Sequence, residues 1–594
     1  MKNFIWSLIL VFAFQSCARV GQPVGGDKDT IPPRFLGANI DSTRVKVPRN
    51  IREIKLKFNE YIKLKDIQKN LIISPPIKKI TKIIPTNLPT KFVSIQFEDT
   101  LQENTTYQFN FGNAIQDNNE ANVLRYFNFA FSTGEKIDST YISGEVKDAF
   151  NIDNNTKANQ NKTVVGLYQY KDSIDYKKKP YYISRVDDDG YFELEYLTQG
   201  NYKLIAFSDD NENSIYDAGA EKIGFQKEPL TIDKSISKIK MTLSPSQKKV
   251  KYLETKTVEG GILVLFEGDP KAVKIASVEE SLGDFKVRHR QYSDSVKVWL
   301  KPFGKEQKKS KRLQFSYQIG TKKDTVSTYY KPLEKVEMTI QNKKGNKIPP
   351  KKEFIFASNF EIDKIDPQKW SLKKDSTEAI QFEAKIVKDN PYQVVVNADF
   401  KEGEKYQLTV PKESVASYFE KTNKSYRFDF EIDKSDNFGK CEFRLKNPPS
   451  SKFWFQLLDA QKKVKFEQYT NAPIIKFDLL PAEQYYVRIL VDENENEFWD
   501  KANLEKQIFA EKSYIFYKIL TIRPLWEMVE DWDLTTDKKL KAKIRKAPTK
   551  KMKNRLGNTQ GNDTNGFPNN GNNNSSGRGN PFGGGLNTEL QRGF

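Results

Sequence analysis

Histidine occurs once in 594 residues, as His289, and cysteine twice, as Cys17 and Cys441. That excludes any multi-histidine metal site and any C-x-x-C site, and a Ser-His-Asp apparatus would have to use the single ring. His289 lies in Arg288-His289-Arg290, where neighbouring positive charge depresses its proton affinity and makes it a poor base. It reads as a plain exposed strand residue. Cys441 reads as a buried hydrophobe beside Phe443. There is no P-loop and no nucleophile elbow, and the scattered carboxylates form no pair that stands out as acid and base. Beyond the N-terminus no apolar run approaches the roughly 20 residues of a helical membrane span. Long helical periodicity is scarce as well. What remains is a non-enzymatic chain without helical architecture.

Aromatic residues are plentiful, with 27 Tyr and 40 Phe, enough to fill several cores. They stand in short alternating runs of strand formers, which points to a succession of small β-sandwiches, and the length points to about four domains. Charge is one-sided: 97 Lys and Arg against 78 Asp and Glu give +19. Ten of the basic residues fall between Lys538 and Arg555, where no acidic residue occurs. For an exported chain nucleic acid is not the expected partner; phosphate-bearing lipid or an acidic protein face is, with a solvated tail as the plainer reading.

Export is read from the first residues. Lys2 precedes an uncharged, mostly apolar run from Phe4 to Phe14, which ends at Gln15-Ser16-Cys17. A small residue just before a cysteine resembles the processing site of bacterial lipoproteins. Residues 1–16 are then the signal peptide and Cys17 the acylated mature N-terminus, holding the chain to outer-membrane lipid. The alternative is an ordinary secretory leader with an incidental cysteine. Residues 17–33 form a Gly- and Pro-containing tether. Which side of the outer membrane the anchored chain faces stays open.

Residues 34–135 carry Phe58-Asn59-Glu60-Tyr61-Ile62, then Leu101 with Thr105 and Tyr107, then Asp117-Asn118-Asn119, then Phe129-Ala130-Phe131-Ser132-Thr133. In this order they resemble the SbsA-type bacterial Ig-like domain. Gly25-Gly26-Asp27-Lys28-Asp29-Thr30-Ile31-Pro32-Pro33 is similar to the leader before that domain in Bacteroidota lipoproteins. Residues 139–246 carry Gly144-Glu145-Val146, Asp189-Gly190-Tyr191-Phe192-Glu193-Leu194 and Leu197-Thr198-Gln199-Gly200-Asn201-Tyr202-Lys203-Leu204. That grammar resembles the transthyretin-like, carboxypeptidase-regulatory-type sandwich, which implies a structural or binding module without catalytic residues. Both patterns recur at constant offsets. Leu101, Tyr107, Phe129 and Phe131 answer Phe400, Tyr406, Phe428 and Phe430, while Leu197, Tyr202 and Asp209 answer Leu480, Tyr485 and Asp492. A second Ig-like domain is therefore expected over 333–434 and a second transthyretin-like one over 436–534. A β-sandwich of unnamed type falls between the copies at 248–332. The tail, 535–594, is basic and then Asn- and Gly-rich, too poor in apolar area to fold. The expected fold class is all-β: a string of Ig-like and transthyretin-like β-sandwiches with an N-terminal lipid tether and a disordered C-terminal tail.

One paired feature could carry chemistry. Asp209, Asn211, Asn213 and Asp217 match Asp492, Asn494, Asn496 and Asp500, at positions one, three, five and nine of a loop that follows a strand. Side-chain oxygens so spaced can wrap a calcium ion, but position six lacks the Gly and position twelve the Glu of a calcium loop. An ion-free, Asx-rich turn explains the same residues. Within the loops Tyr216 and Trp499 are candidate ligand-stacking platforms, or plugs at the end of a sandwich. The functional expectation is an outer-membrane-anchored scaffold or protein-interaction subunit, with envelope or β-barrel protein partners. Similar Ig-like lipoproteins serve as accessory subunits of outer-membrane protein assembly machinery. The alternative is a cell-surface adhesin or glycan/peptide receptor.

Overall fold

The computed structural model describes residues 28–150, 152, 162–187, 189–301, 310–331, 337–419, 421–536 and 538. Cys17, the signal peptide, most of the tether and nearly all of the tail lie outside them. The chain is all-β: among the described residues the only α-helix is the single turn Ile67–Asn70. By its contacts the chain forms two compact units. One holds 1–146, 160–216 and 225–241; the other holds 147–159, 217–224 and 242–594.

In the first unit, strand Glu53–Leu64 shows how sequence becomes sheet. Ile54, Leu56 and Phe58 are buried while Lys57 is exposed, the period-two alternation of a half-buried strand. It joins Phe35–Ala38, Thr90–Phe97 and Ile80–Ile84 in one sheet. A second sheet of Ile72–Ser74, Thr106–Gly112 and Phe127–Ser132 packs against it. Between them lie Phe58, Phe97, Phe109, Phe111, Phe129 and Phe131. The next strands, Thr163–Gln169, Tyr182–Arg185, Gly200–Ser208 and Leu230–Ile232, share another sheet. The join between the two sandwiches of this unit is polar. Asp138 accepts hydrogen bonds from Thr106 Oγ1 at 2.9 Å and Thr198 Oγ1 at 3.1 Å. Ser74 Oγ accepts the Ile183 amide at 3.2 Å, and Glu195 accepts Asn128 Nδ2 at 3.0 Å.

The second unit contains three sandwiches with separate cores, around Phe266 and Phe315, around Phe354 and Phe356, and around Phe443 and Phe455. Cys441 lies in the third core, where burial pushes its thiol up to about 12. The first two cores meet where Trp299 stacks on Phe360, ring centroids 5.3 Å apart. Beside them Glu361 is buried, and Lys286 Nζ reaches its carboxylate at 2.5 Å and Arg288 Nε at 3.1 Å. Burial pushes the Glu361 carboxyl up, but the hydrogen bonds of Arg288 and Lys286 outweigh it and hold its pKa below the ordinary value. That ion network is present above the ordinary carboxylate range and is lost as pH falls through the depressed pKa.

The repeated residues occupy matching geometry. Tyr107 Oη accepts the amide of Gln102 at 2.8 Å, and Tyr406 Oη accepts that of Lys401 at 2.8 Å. Both are tyrosine corners, pinning a turn to the strand that follows it. The turns pass through left-handed backbone at equivalent places, Asn104 (φ 46°) and Gly403 (φ 77°). Likewise Tyr202 Oη donates to the Thr198 carbonyl at 3.0 Å, and Tyr485 Oη to that of Pro481 at 3.1 Å.

Candidate functional site

Each Asp/Asn loop leaves the end of a strand, Gly200–Ser208 or Gln484–Val491, and turns at once through two left-handed residues. Those are Glu212 and Ser214 in the first loop, Glu495 and Glu497 in the second, with φ between 56° and 60°. Such backbone costs free energy unless side chains hold it, and the Asp and Asn residues do so. Asp209 Oδ1 accepts the Ser214 amide at 3.0 Å; Asp492 Oδ2 accepts the Glu497 amide at 2.8 Å. Asn211 accepts the amide of Asn213 at 3.1 Å, and Asn213 that of Ile215 at 2.6 Å. The copy repeats this: Asn494 accepts the amide of Asn496 at 3.2 Å, and Asn496 that of Phe498 at 2.8 Å.

In the second loop Asp500 gathers the set, taking Asn494 Nδ2 at 2.6 Å and Asn496 Nδ2 at 3.0 Å on one carboxylate oxygen. Asp492 is fully buried and also accepts the Tyr469 hydroxyl at 2.7 Å. In the first loop the Asp217 amide donates to Glu221 Oε2 at 2.9 Å.

Glu221 and Glu511 are the residues that sequence reasoning misses. Glu511, also buried, accepts the Glu493 amide at 2.7 Å and, more weakly, the Asn494 amide at 3.4 Å on Oε1, and the Asp500 amide at 2.8 Å on Oε2. It thus clasps both ends of its loop from outside. Glu221 plays the same part toward Asp217 but stands much closer in sequence, so no common spacing betrays the pair. Burial pushes the Glu511 carboxyl above its ordinary value, against the backbone hydrogen bonds that favour its ionised form.

The geometry makes each loop a stiff, oxygen-lined bend. An oxygen that accepts a single amide keeps a second lone pair that a hard cation could use, whereas Asp492 Oδ2 and Asp500 Oδ2 each accept two donors already. Among the described residues no group of three or more His, Cys, Asp or Glu is arranged to hold a metal ion.

The aromatic platforms need correction. Tyr216 and Trp499 are 6% and 9% exposed, too buried to offer a ring face to a ligand. Tyr216 packs on Phe207 at 6.0 Å between centroids. Trp499 packs on Phe150 at 4.9 Å and donates Nε1 to the Lys512 carbonyl at 3.3 Å. Each ring has enough apolar area that closing the loop over it is worth more than leaving it in water. They are plugs. His289 is corrected too: it is half-buried on strand Phe285–His289, with Nε2 3.0 Å from the Ser293 carbonyl. Burial lowers its proton affinity.

Residues 29–133 match the family model of the bacterial Ig-like domain, a stretch that contains the first aromatic core. Comparison with curated proteins yields no match. Among solved structures the chain is similar to domains 1–6 of the surface layer protein SbsC, at 10% identity and a TM-score of 0.14. The similarity covers 82% of this chain and 66% of that one, so the chain spans just under two thirds of that relative. It is also similar to the SGBP-B protein of the Bacteroides ovatus mixed-linkage glucan utilization locus, solved with a mixed-linkage heptasaccharide. There the identity is 10%, the coverage 61% and 89%, and the TM-score 0.18. Superpositions this loose carry no argument about architecture or ligand. The protein is an all-β chain whose first sandwich matches the bacterial Ig-like domain.

Proposed function

We propose that the protein is a non-enzymatic lipoprotein, held to the outer membrane through Cys17 and acting as a scaffold or interaction subunit for other envelope proteins. The observation behind this reading is how sandwiches are joined inside each unit. Asp138 with its two threonines, and Glu361 with Lys286 and Arg288, are hydrogen-bonded clusters at module joins, where a flexible linker would serve an independent binding domain. Stiff joins suit a part that holds partners at fixed spacing. In this reading residues 139–246 and 436–534 are transthyretin-like modules, and the partner is a β-barrel of the outer-membrane protein assembly machinery. Affinity isolation of the native protein from detergent-solubilised outer membrane should recover such a barrel in a reproducible ratio. A preparation that recovers none removes the assembly role. The adhesin or glycan/peptide-receptor alternative has lost its platforms, since Tyr216 and Trp499 are buried.

Calcium belongs to the same proposal. Asp209, Asn211, Asn213 and Asp217, and their counterparts Asp492, Asn494, Asn496 and Asp500, supply hard oxygen donors of the right kind. An ion there would stiffen bends that already hold themselves by hydrogen bonds. Calcium at 100 times its Kd would add about 2.7 kcal/mol to the stability of the module that binds it. Melting curves in calcium and in EGTA that superimpose would leave the loops as ion-free turns.

A further inference from the structure

Large apolar side chains left in water on a folded domain mark contact surfaces when they gather on one rim. Ile31, Leu88 and Tyr126 are 69%, 78% and 78% exposed, and Tyr61 is 56% exposed. Hydrogen bonds, one ring contact and the pairing of the adjoining strands, Thr90 with Ile62 and Phe127 with Gly112, place them at one end of the first Ig-like sandwich, the end where the tether arrives. Asn122 Nδ2 donates to the carbonyls of Asp29, at 2.9 Å, and Ile31, at 3.4 Å. The Asn118 amide donates to the Tyr61 carbonyl at 3.0 Å, and Lys91 Nζ lies 5.3 Å from the Tyr61 ring centroid. Leu88 lies in the turn before strand Thr90–Phe97, whose Thr90 pairs with Ile62. Tyr126 has left-handed backbone, φ 57°, which a bulky residue adopts only at a cost. Its ring stands in water, while Phe127 beside it packs into the core against Phe35 and Phe58.

We infer that this rim rests on a phospholipid bilayer surface; the inference deepens the lipid-anchor reading and rests on it. Tyrosine rings with a polar tip, and lysines such as Lys63 and Lys91 that carry charge on an apolar stem, are the side chains that settle at headgroup depth. The segment from Cys17 to Lys28 spans at most about 40 Å when fully extended, so an acylated Cys17 keeps the rim within reach of the headgroups. The rim is then a second foot beside the acyl chains, fixing the tilt of the first sandwich on the membrane.

The test uses the mature chain from Ala18 onward, made without acyl chains, and vesicles of phosphatidylethanolamine and phosphatidylglycerol. About 0.5 M salt shortens the Debye length to a few ångströms and suppresses attraction by the basic tail. The chain should co-sediment with vesicles, and Tyr61→Ser/Leu88→Ser/Tyr126→Ser should lower the partition coefficient about tenfold with an unchanged melting temperature. Equal partitioning of the two chains overturns the inference. Hydrogen exchange on the unsubstituted chain gives an independent reading: vesicles should protect residues 85–91 and 118–126, and no protection also overturns it. Mass spectrometry of the native N-terminus separates the two ideas. An acylated Cys17 with equal partitioning sinks only the rim, and an unmodified Cys17 with the tenfold drop sinks only the anchor.

Discussion

Replacing Trp499 with alanine is expected to destabilise the last sandwich by about 3–5 kcal/mol, the usual cost of deleting a large buried aromatic. The indole fills the space between its own loop and Phe150, so removal leaves a cavity as well as losing the bond to the Lys512 carbonyl. Phe150 would be left facing that cavity, although the Arg488 guanidinium still lies over its ring, 4.8 Å from the centroid. For a module of about 100 residues each kcal/mol shifts the melting temperature by about 4–8 °C, so the transition of this sandwich should fall by more than 10 °C. Trp499→Phe keeps most of the packing and should cost about 1 kcal/mol. Calorimetry of both variants decides the matter. A Trp499→Ala protein that melts like the parent would mean the ring is a platform after all.

Glu511→Ala should cost about 2–3 kcal/mol. It strips the acceptor from the Glu493 and Asp500 amides, bonded at 2.7 and 2.8 Å, and from the weaker Asn494 contact. An unmet buried amide costs about 1–3 kcal/mol; water can reach part of this loop, which keeps the total toward the lower end. The pH dependence has a definite sign. The Glu511 carboxyl titrates above its ordinary value of 4.5 in the folded chain, burial being the largest cause. Its contribution to stability is therefore fully present below that ordinary value and is lost as pH rises through the folded pKa. Glu511→Gln has no carboxyl to titrate, so urea unfolding between about pH 4 and pH 7 should show a flatter profile for this module. The glutamine amide also sets a donor against one N–H, and the variant should be less stable than the parent throughout. Profiles of identical shape would show that Glu511 is not the clasp.

The sequence by itself determined the class of fold. Alternation such as Ile54-Lys55-Leu56-Lys57-Phe58 dictates a half-buried strand, because side chains on a strand alternate faces whatever surrounds them. The duplicated Leu/Phe, Tyr and Phe positions were legible for a related reason. A tyrosine corner is a local device whose partners lie within a few residues, so its spacing survives in sequence. The Asp/Asn loops were legible in the same way, as Asx turns bonding to amides only two to five residues ahead.

Only the tertiary structure decided what those loops face. Whether Tyr216 and Trp499 meet solvent depends on Phe207 and Phe150, and the second of these is distant in sequence. Glu511 closes its loop from beyond the repeat, and Glu221 does so from a different separation, because burial and hydrogen bonding reward position in space and not along the chain. His289 shows the same limit: its flanking arginines read as an exposed strand, yet the folded chain leaves its ring half-buried. Short-range hydrogen bonding and side-chain alternation are written into consecutive residues; what covers a side chain is settled only when distant strands are brought together.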